Sequence, residues 1–205
     1  MKRKDFIRNS SGILLGSVIS PNFMANLNPS STINMGVIGT GGRGKGIIKL
    51  INNLAGINVI AVCDTLSFRL KEGFDLIRNN KNSKLYNDYR QLLDNKNIDG
   101  VIISTPLNTH DKIAVDALDA DKHVYCEKTL AKGAAATRRI LNKCKTSNKI
   151  FQTGHQYHSS RLYSKLVDMI EDGKVGKITS IEAQWNRNGN WRKPVPDPSL
   201  ERQIN

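Results

Sequence analysis

Apolar residues in this chain come in short dense runs, separated by longer stretches in which they recur every three or four positions. Met35, Val37 and Ile38 mark a first strand. The stretch after it carries Ile47, Ile51 and Leu54 on one helical face, with Ile48 beside them. A second strand spans 58–63, and Leu66, Leu70, Phe74 and Ile77 then share the face of another helix. Asp88 stands where an N-cap would, ahead of a short helix with Leu92 and Leu93. The run 98–104 is apolar through its centre without alternation, as expected of a parallel strand covered on both faces. Ile113, Ala117 and Leu118 line the helix that follows, and 123–126 reads as the next strand. Ile140, Leu141 and Cys144 are predicted to face inward from a further helix, before a strand over 149–153. Alternation at this density predicts an α/β fold, a Rossmann-type doubly wound parallel sheet with helices on both faces.

The pattern changes after Gly154. Leu162, Leu166 and Ile170 make an amphipathic helix that should stop at Asp172-Gly173, a favourable C-terminal cap. Thr179, Ile181, Ala183 and Trp185 then alternate with Ser180, Glu182 and Gln184, the period of a half-buried strand with one wet face. This reads as the opening strand of a second, α+β domain built on an open sheet. A loop with three prolines follows over 187–198, and the chain ends seven residues later, so the second domain is expected to be incomplete. The predicted organisation is 1–30 signal and linker, 31–154 dinucleotide-binding domain, and 155–205 the beginning of the second domain.

Gly39, Gly41 and Gly44 fit a G-x-G-x-x-G spacing between the first strand and its helix. Such a turn brings backbone N–H groups close to a pyrophosphate at the positive end of the helix, with Thr40, Gly42 and Arg43 in the same turn. The motif alone is weak, but its setting strengthens it: the second strand ends in Asp64, twenty residues after Gly44. A carboxylate there accepts both hydroxyls of an adenosine ribose. It also repels a 2′-phosphate, so NAD is favoured over NADP. Arg69, a helical turn away, keeps NADP open.

Composition changes the picture little, at 39% hydrophobic and 24% charged residues. The outlier is a formal net charge of +13. Its basic residues, such as Arg138, Arg139, Lys143 and Lys145, lie along predicted helices and do not alternate with aromatics, which argues for solvated faces and against nucleic-acid binding. Cys63, Cys126 and Cys144 have no metal-ligand spacing, and an odd number argues against a disulfide framework. They read as small buried hydrophobes, and no metal site is predicted.

The first 25 residues have the order of an export signal: a basic head with Lys2, Arg3, Lys4 and Arg8, an apolar stretch over 12–19, then Pro21 and polar residues. The apolar part falls far short of the roughly 20 residues that span a bilayer, so no membrane span is expected. Arg3-Lys4-x-Phe6-Ile7-Arg8 resembles a twin-arginine signal with lysine at the second position, which implies a periplasmic protein. An uncleaved tail on a cytoplasmic protein is the alternative.

Three strand ends besides the glycine turn supply polar groups where an open parallel sheet binds ligands. They are Ser104-Thr105-Pro106-Leu107-Asn108-Thr109-His110, Glu127-Lys128-Thr129 and Gly154-His155-Gln156-Tyr157. Removing hydride from a carbinol builds negative charge on oxygen and requires a base for the hydroxyl proton. A lysine beside the nicotinamide orients that hydroxyl, and desolvation tunes it for proton transfer. The alternative for Lys128 is a solvated lysine paired with Glu127.

Taken in order, the glycine turn, Asp64, Ser104-Thr105-Pro106-x-x-x-His110 and Val124-Tyr125-Cys126-Glu127-Lys128 resemble the Gfo/Idh/MocA (glucose-fructose oxidoreductase, inositol dehydrogenase, rhizopine catabolism) family. The likeness runs from about Ile33 to the end. It implies a Rossmann domain followed by a domain whose open sheet carries substrate and dimer contacts, hence a homo-oligomer in full-length form. The implied activity is NAD(P)-dependent oxidation or reduction of a sugar, glycoside or cyclitol carbinol, with Lys128 as the catalytic lysine. Gly39, Thr40, Gly41, Gly42, Arg43, Gly44, Asp64, Thr105, Pro106, Asn108, His110, Glu127, Lys128 and Gln156 are implied at the cofactor. Lys128, Tyr157, Trp185, Arg187, Trp191 and Arg192 are implied at the substrate; core and loop packing is the alternative for the tryptophans and arginines. The stretch 184–192 is similar to an exported bacterial subgroup. An NAD-retaining redox glycoside hydrolase is a second activity the same fold implies, and a non-catalytic nucleotide binder a third reading. The chain departs from the family at Thr129, where the pattern has proline, and in Tyr157-His158-Ser159-Ser160-Arg161.

Overall fold

In the computed structural model, residues 32–186 are described. β1 (Ile33–Ile38) lies at the centre of a six-stranded sheet, between β2 (Ile57–Cys63) and β4 (Gly100–Ile103). β3 (Lys84–Tyr86) forms one edge beside β2, while β5 (His123–Glu127) and β6 (Phe151–Gly154) extend the other side. Every pairing is parallel, so each connection crosses a face of the sheet. The crossovers carry α1 (Gly42–Ile51), α2 (Ser67–Asp75), α3 (Tyr89–Leu93), α4 (His110–Asp119) and α5 (Ala134–Thr146). The order β3-β2-β1-β4-β5-β6 reverses direction between β1 and β4, which opens a crevice beyond their carboxyl ends.

Strand residues alternate between two cores. Val37, Val62 and Ile102 pack with Ile47, Ile48, Ile51 and Leu70 on one face. Their neighbours Ile38, Ala61, Val101 and Ile103 pack with Ile113, Ala117, Leu118 and Ile140 on the other. Both faces are covered, which is why the central strands read as unbroken apolar runs. Asp88 caps α3 by accepting from the Arg90 N–H at 2.9 Å. At the opposite end of the sheet the buried Lys122 ammonium donates to the carbonyls of Asn95 and Ile98, at 2.9 and 2.8 Å.

Some expectations give way. Leu54 is exposed, because α1 ends at Ile51, where Asn52 ties its side chain to the Leu76 carbonyl and the Arg78 N–H. Leu141 is also exposed, turned outward one step from Ile140 on α5. β3 carries no pattern of its own: it is three residues long, on the sheet edge, with Leu85 exposed. The helix predicted after Gly154 forms as α6 (Arg161–Glu171). Gly173, at φ +72°, closes it with N–H bonds from Gly173 to Ile170 and from Lys174 to Met169, both 3.0 Å. The strand expected over Thr179–Trp185 is absent: the segment is irregular and exposed, and among the described residues no strand lies alongside to form a ladder with it.

No described helix is long and apolar enough to cross a membrane. The signal-like 1–30 segment and the three-proline loop, with Arg187, Trp191 and Arg192, lie outside the described residues.

Candidate active site

β1 runs into a turn that two glycines make possible. Gly39 has φ +90°, and a Cβ there would fall 2.8 Å from the Ser104 carbonyl and the Thr105 nitrogen. At Gly44 a Cβ would lie 2.0 Å from the Gly39 carbonyl oxygen and 2.8 Å from Ser104 Oγ. Ser104 Oγ itself donates to that carbonyl at 2.6 Å, drawing the ends of β1 and β4 together against the start of α1. Gly41 and Gly42 are different: a Cβ on either would meet nothing within 4 Å. The first turn of α1 has neither a side-chain cap nor an acidic residue. Its N–H groups and dipole therefore face open space, the arrangement that receives an anionic group such as a diphosphate.

Asp64 leaves β2 one strand away. Its Oδ2 accepts the Thr40 N–H at 2.8 Å and its Oδ1 the Leu66 N–H at 3.0 Å. The buried Thr40 hydroxyl lies 3.1 Å from Oδ2 and 2.8 Å from the Arg69 carbonyl, and its single proton serves one of them. With about four acceptor positions on a carboxylate, one or two remain for outside donors. Asp64 opens on a cavity of about 490 Å³ that also has Gly39, Gly41, Thr105, Pro106 and Asn108 in its wall. That volume is in the range of small-molecule sites. Arg69, Arg90 and Lys112 border the same cavity, Arg90 paired with Asp88 and Lys112 with Asp116. Cys63 lines it as an inert thiol, pushed up to about 12 by burial and then by the charges of Asp64 and Asp88.

At the end of β5, Glu127 does not pair with the Lys128 ammonium. Its buried Oε1 takes Arg43 Nε at 2.7 Å and Nη2 at 2.6 Å, from the glycine turn itself. That pairing holds the Arg43 guanidinium above its ordinary range. Lys128 is exposed, so the expected desolvation is missing among the described residues. The Lys128–Thr129 peptide is cis.

His110 stands behind the cavity wall, not on it. It is buried, with Nδ1 3.1 Å from the Thr129 carbonyl and Nε2 2.9 Å from the Thr105 carbonyl. Both nitrogens are thus turned to main-chain carbonyls, one in the loop after β4 and one in the loop after β5.

A second cavity, of about 540 Å³, is lined by Lys128, His155, Gln156, Tyr157, His158 and Trp185. Gln156 therefore shares a cavity with residues expected at the substrate. Tyr157 stacks edge-on to Trp185, with centroids 6.0 Å apart, and tilts against Tyr163 at 5.4 Å. His155 follows β6 at a strand end where the sequence places ligand-binding polar groups; His158, its ring centroid 6.2 Å away, carries no such signal in the sequence. Among the described residues no His, Cys, Asp and Glu cluster has the makings of a metal site.

Residues 33–155 match the Gfo/Idh/MocA model, an oxidoreductase family with an NAD-binding Rossmann fold. An inositol 2-dehydrogenase of Salmonella typhimurium is 33% identical over 155 residues, 75% of this chain and 46% of that protein. A glycosyl hydrolase family 109 protein of Shewanella woodyi is 28% identical over 191 residues, 89% of this chain and 39% of its own length. Among solved structures, the myo-inositol dehydrogenase of Lactobacillus casei in complex with NAD(H) and myo-inositol superposes with a TM-score of 0.65. It is 31% identical, and the alignment covers 71% of this chain and 43% of that one. The chain spans about half the length of the curated relatives it matches.

Proposed function

The chain belongs to the Gfo/Idh/MocA family of oxidoreductases, and from that premise we propose that it is the cofactor-holding part of an NAD-dependent enzyme acting on a ring carbinol of a sugar or cyclitol. The observation that carries this reading is the division of labour in the glycine turn. Gly39 and Gly44 are jammed against main chain while Gly41 and Gly42 face open space, and Gly41 shares a cavity wall with Asp64. A diphosphate fits at the α1 N-terminus, and Asp64 takes a ribose hydroxyl. NAD, when bound, supplies the hydride acceptor. Lys128 would hold the carbinol oxygen and steady its developing negative charge, while a base from outside the described residues would take the hydroxyl proton as hydride leaves. Tyr157 and Trp185 offer aromatic faces on which a sugar ring stacks, with Gln156, His155 and His158 as hydrogen-bonding partners. Residues 155–205, with Arg187, Trp191 and Arg192, would begin the substrate-bearing domain, and the full-length protein would be a homo-oligomer. The basic head and short apolar stretch of 1–30 support export to the periplasm.

A redox glycoside hydrolase is the second reading. It is favoured by one observation: the family 109 relative aligns over more of this chain than the inositol dehydrogenases do. The two separate in one assay on the full-length protein, which follows NADH and released aglycone with a panel of cyclitols and aryl glycosides. Net NADH formation supports the dehydrogenase; aglycone without net NADH supports the hydrolase. If NADH titrated into the protein gives no binding signal, both are wrong. If Lys128→Ala turns over as the parent does, the role given to the lysine is wrong.

A further inference from the structure

Lys128 presents an exposed side chain, so its position depends on how its main chain is held. The Lys128 N–H points to Glu127 Oε2 at 3.2 Å. The Glu127 side chain is only 6% exposed, and a carboxylate so enclosed requires a partner. Two donors of Arg43 supply one, both on Oε1, with the Tyr125 hydroxyl at 3.4 Å from the same oxygen. Gly154 on β6 makes room for this carboxylate: a Cβ there would lie 3.0 Å from Glu127 Oε1 and 3.0 Å from the Tyr125 hydroxyl. Arg43 lies between Gly42 and Gly44 in the first turn of α1 and is 46% exposed along its side chain. One carboxylate thus joins the glycine turn to the lysine turn, across 84 residues of chain.

We propose, resting on the reading of Lys128 and the glycine turn given above, that the Arg43–Glu127 pair is a positioning clamp. It sets the main chain of Lys128 relative to the place where the diphosphate sits, so that the lysine is registered against the cofactor before any substrate enters. Arg43 and Glu127 are positioning residues and need not touch the reacting atoms.

The test is amide hydrogen exchange at the Lys128 N–H in the intact chain, compared among the parent, Arg43→Met, Arg43→Lys and Glu127→Gln. The clamp predicts that Arg43→Met and Glu127→Gln speed exchange at this amide about tenfold or more, while amides of β1 and β4 keep their parent rates. Arg43→Lys, which retains a cation beside Glu127, restores most of the protection. Unchanged exchange at Lys128 in Arg43→Met overturns the clamp. So does equal acceleration through β1 and β4, or an Arg43→Lys no slower than Arg43→Met. An NADH titration of the same parent sample keeps the two readings apart: absence of binding removes the cofactor assignment, while the exchange comparison in the unliganded protein still decides the clamp.

Discussion

Gly44→Ala and Gly41→Ala, three residues apart in one turn, should fail in opposite ways. At Gly44 the new methyl would lie 2.0 Å from the Gly39 carbonyl oxygen. A tolerable carbon–oxygen contact is about 3.3 Å, so main chain must separate by more than about 1 Å. No rotamer relieves a clash with backbone, which places the change toward the upper end of overpacking penalties, about 3 kcal/mol. Opening the turn also loosens the Ser104 Oγ bond to Gly39, net about 1 kcal/mol. Alanine's better helix propensity returns about 1 kcal/mol. The expected loss is about 3 kcal/mol. With a urea slope of about 2 kcal/mol/M, the midpoint falls by about 1.5 M. Gly41, by contrast, has φ −63° and ψ −170°, open to any residue, and nothing stands near its Cβ. Its alanine variant should unfold within about 0.5 kcal/mol of the parent. NADH affinity, followed by fluorescence, should nevertheless drop roughly 10–100-fold, because the methyl occupies space assigned to the diphosphate. A Gly44→Ala midpoint within about 0.2 M of the parent, or parent-like NADH binding by Gly41→Ala, would refute the reasoning.

Asp64→Asn puts an amide NH₂ against either the Thr40 or the Leu66 N–H, so NADH affinity should fall about tenfold. NADPH should lose less, and parallel titrations with the two coenzymes would reveal equal losses if the carboxylate plays no part. Lys122→Met strands the Ile98 carbonyl and leaves that of Asn95 only the Ile98 N–H at 3.3 Å, and should cost about 2 kcal/mol in urea unfolding, with NADH binding by the folded protein unchanged. Cys63 and Cys126 are both pushed up from 9.0 to about 12, chiefly by burial. Between those values the unfolded chain releases thiol protons that the fold retains, so their contribution is complete below about pH 9 and is lost as pH rises toward about 12. Urea midpoints should therefore fall above pH 9, and a Cys63→Ala, Cys126→Ala double variant should show a shallower decline. Iodoacetamide at pH 8 should modify the half-buried Cys144 first, and peptide mapping that finds Cys63 labelled earlier would contradict this.

How much of the site the sequence disclosed depended on the reach of the interaction. The turn at Gly39–Gly44, the Asp88 cap and the stop at Asp172-Gly173 are set by neighbours within a few residues, and all three were legible. So was Asp64, because a strand, a helix and a second strand place it by their lengths alone. Glu127 was not. Next to Lys128 in sequence, it pairs with Arg43 from the first turn of α1. His110 carried the right motif position, yet the loops after β4 and β5 close over it and claim both ring nitrogens. Gln156, expected at the cofactor, lines the second cavity together with Lys128. The alternation over Thr179–Trp185 had the period of a strand, but a strand exists only where a neighbour completes its ladder.

The sequence by itself determined the strand and helix series, its winding, the glycine turn and the acid that follows it, since apolar periodicity and backbone freedom act locally. Tertiary structure alone decided which carboxylate meets which cation, which histidine is enclosed and where each strand-end loop opens. Those outcomes depend on partners brought together from distant parts of the chain, and a polar group commits its hydrogen bonds only when the packed fold has removed the water that would otherwise satisfy it.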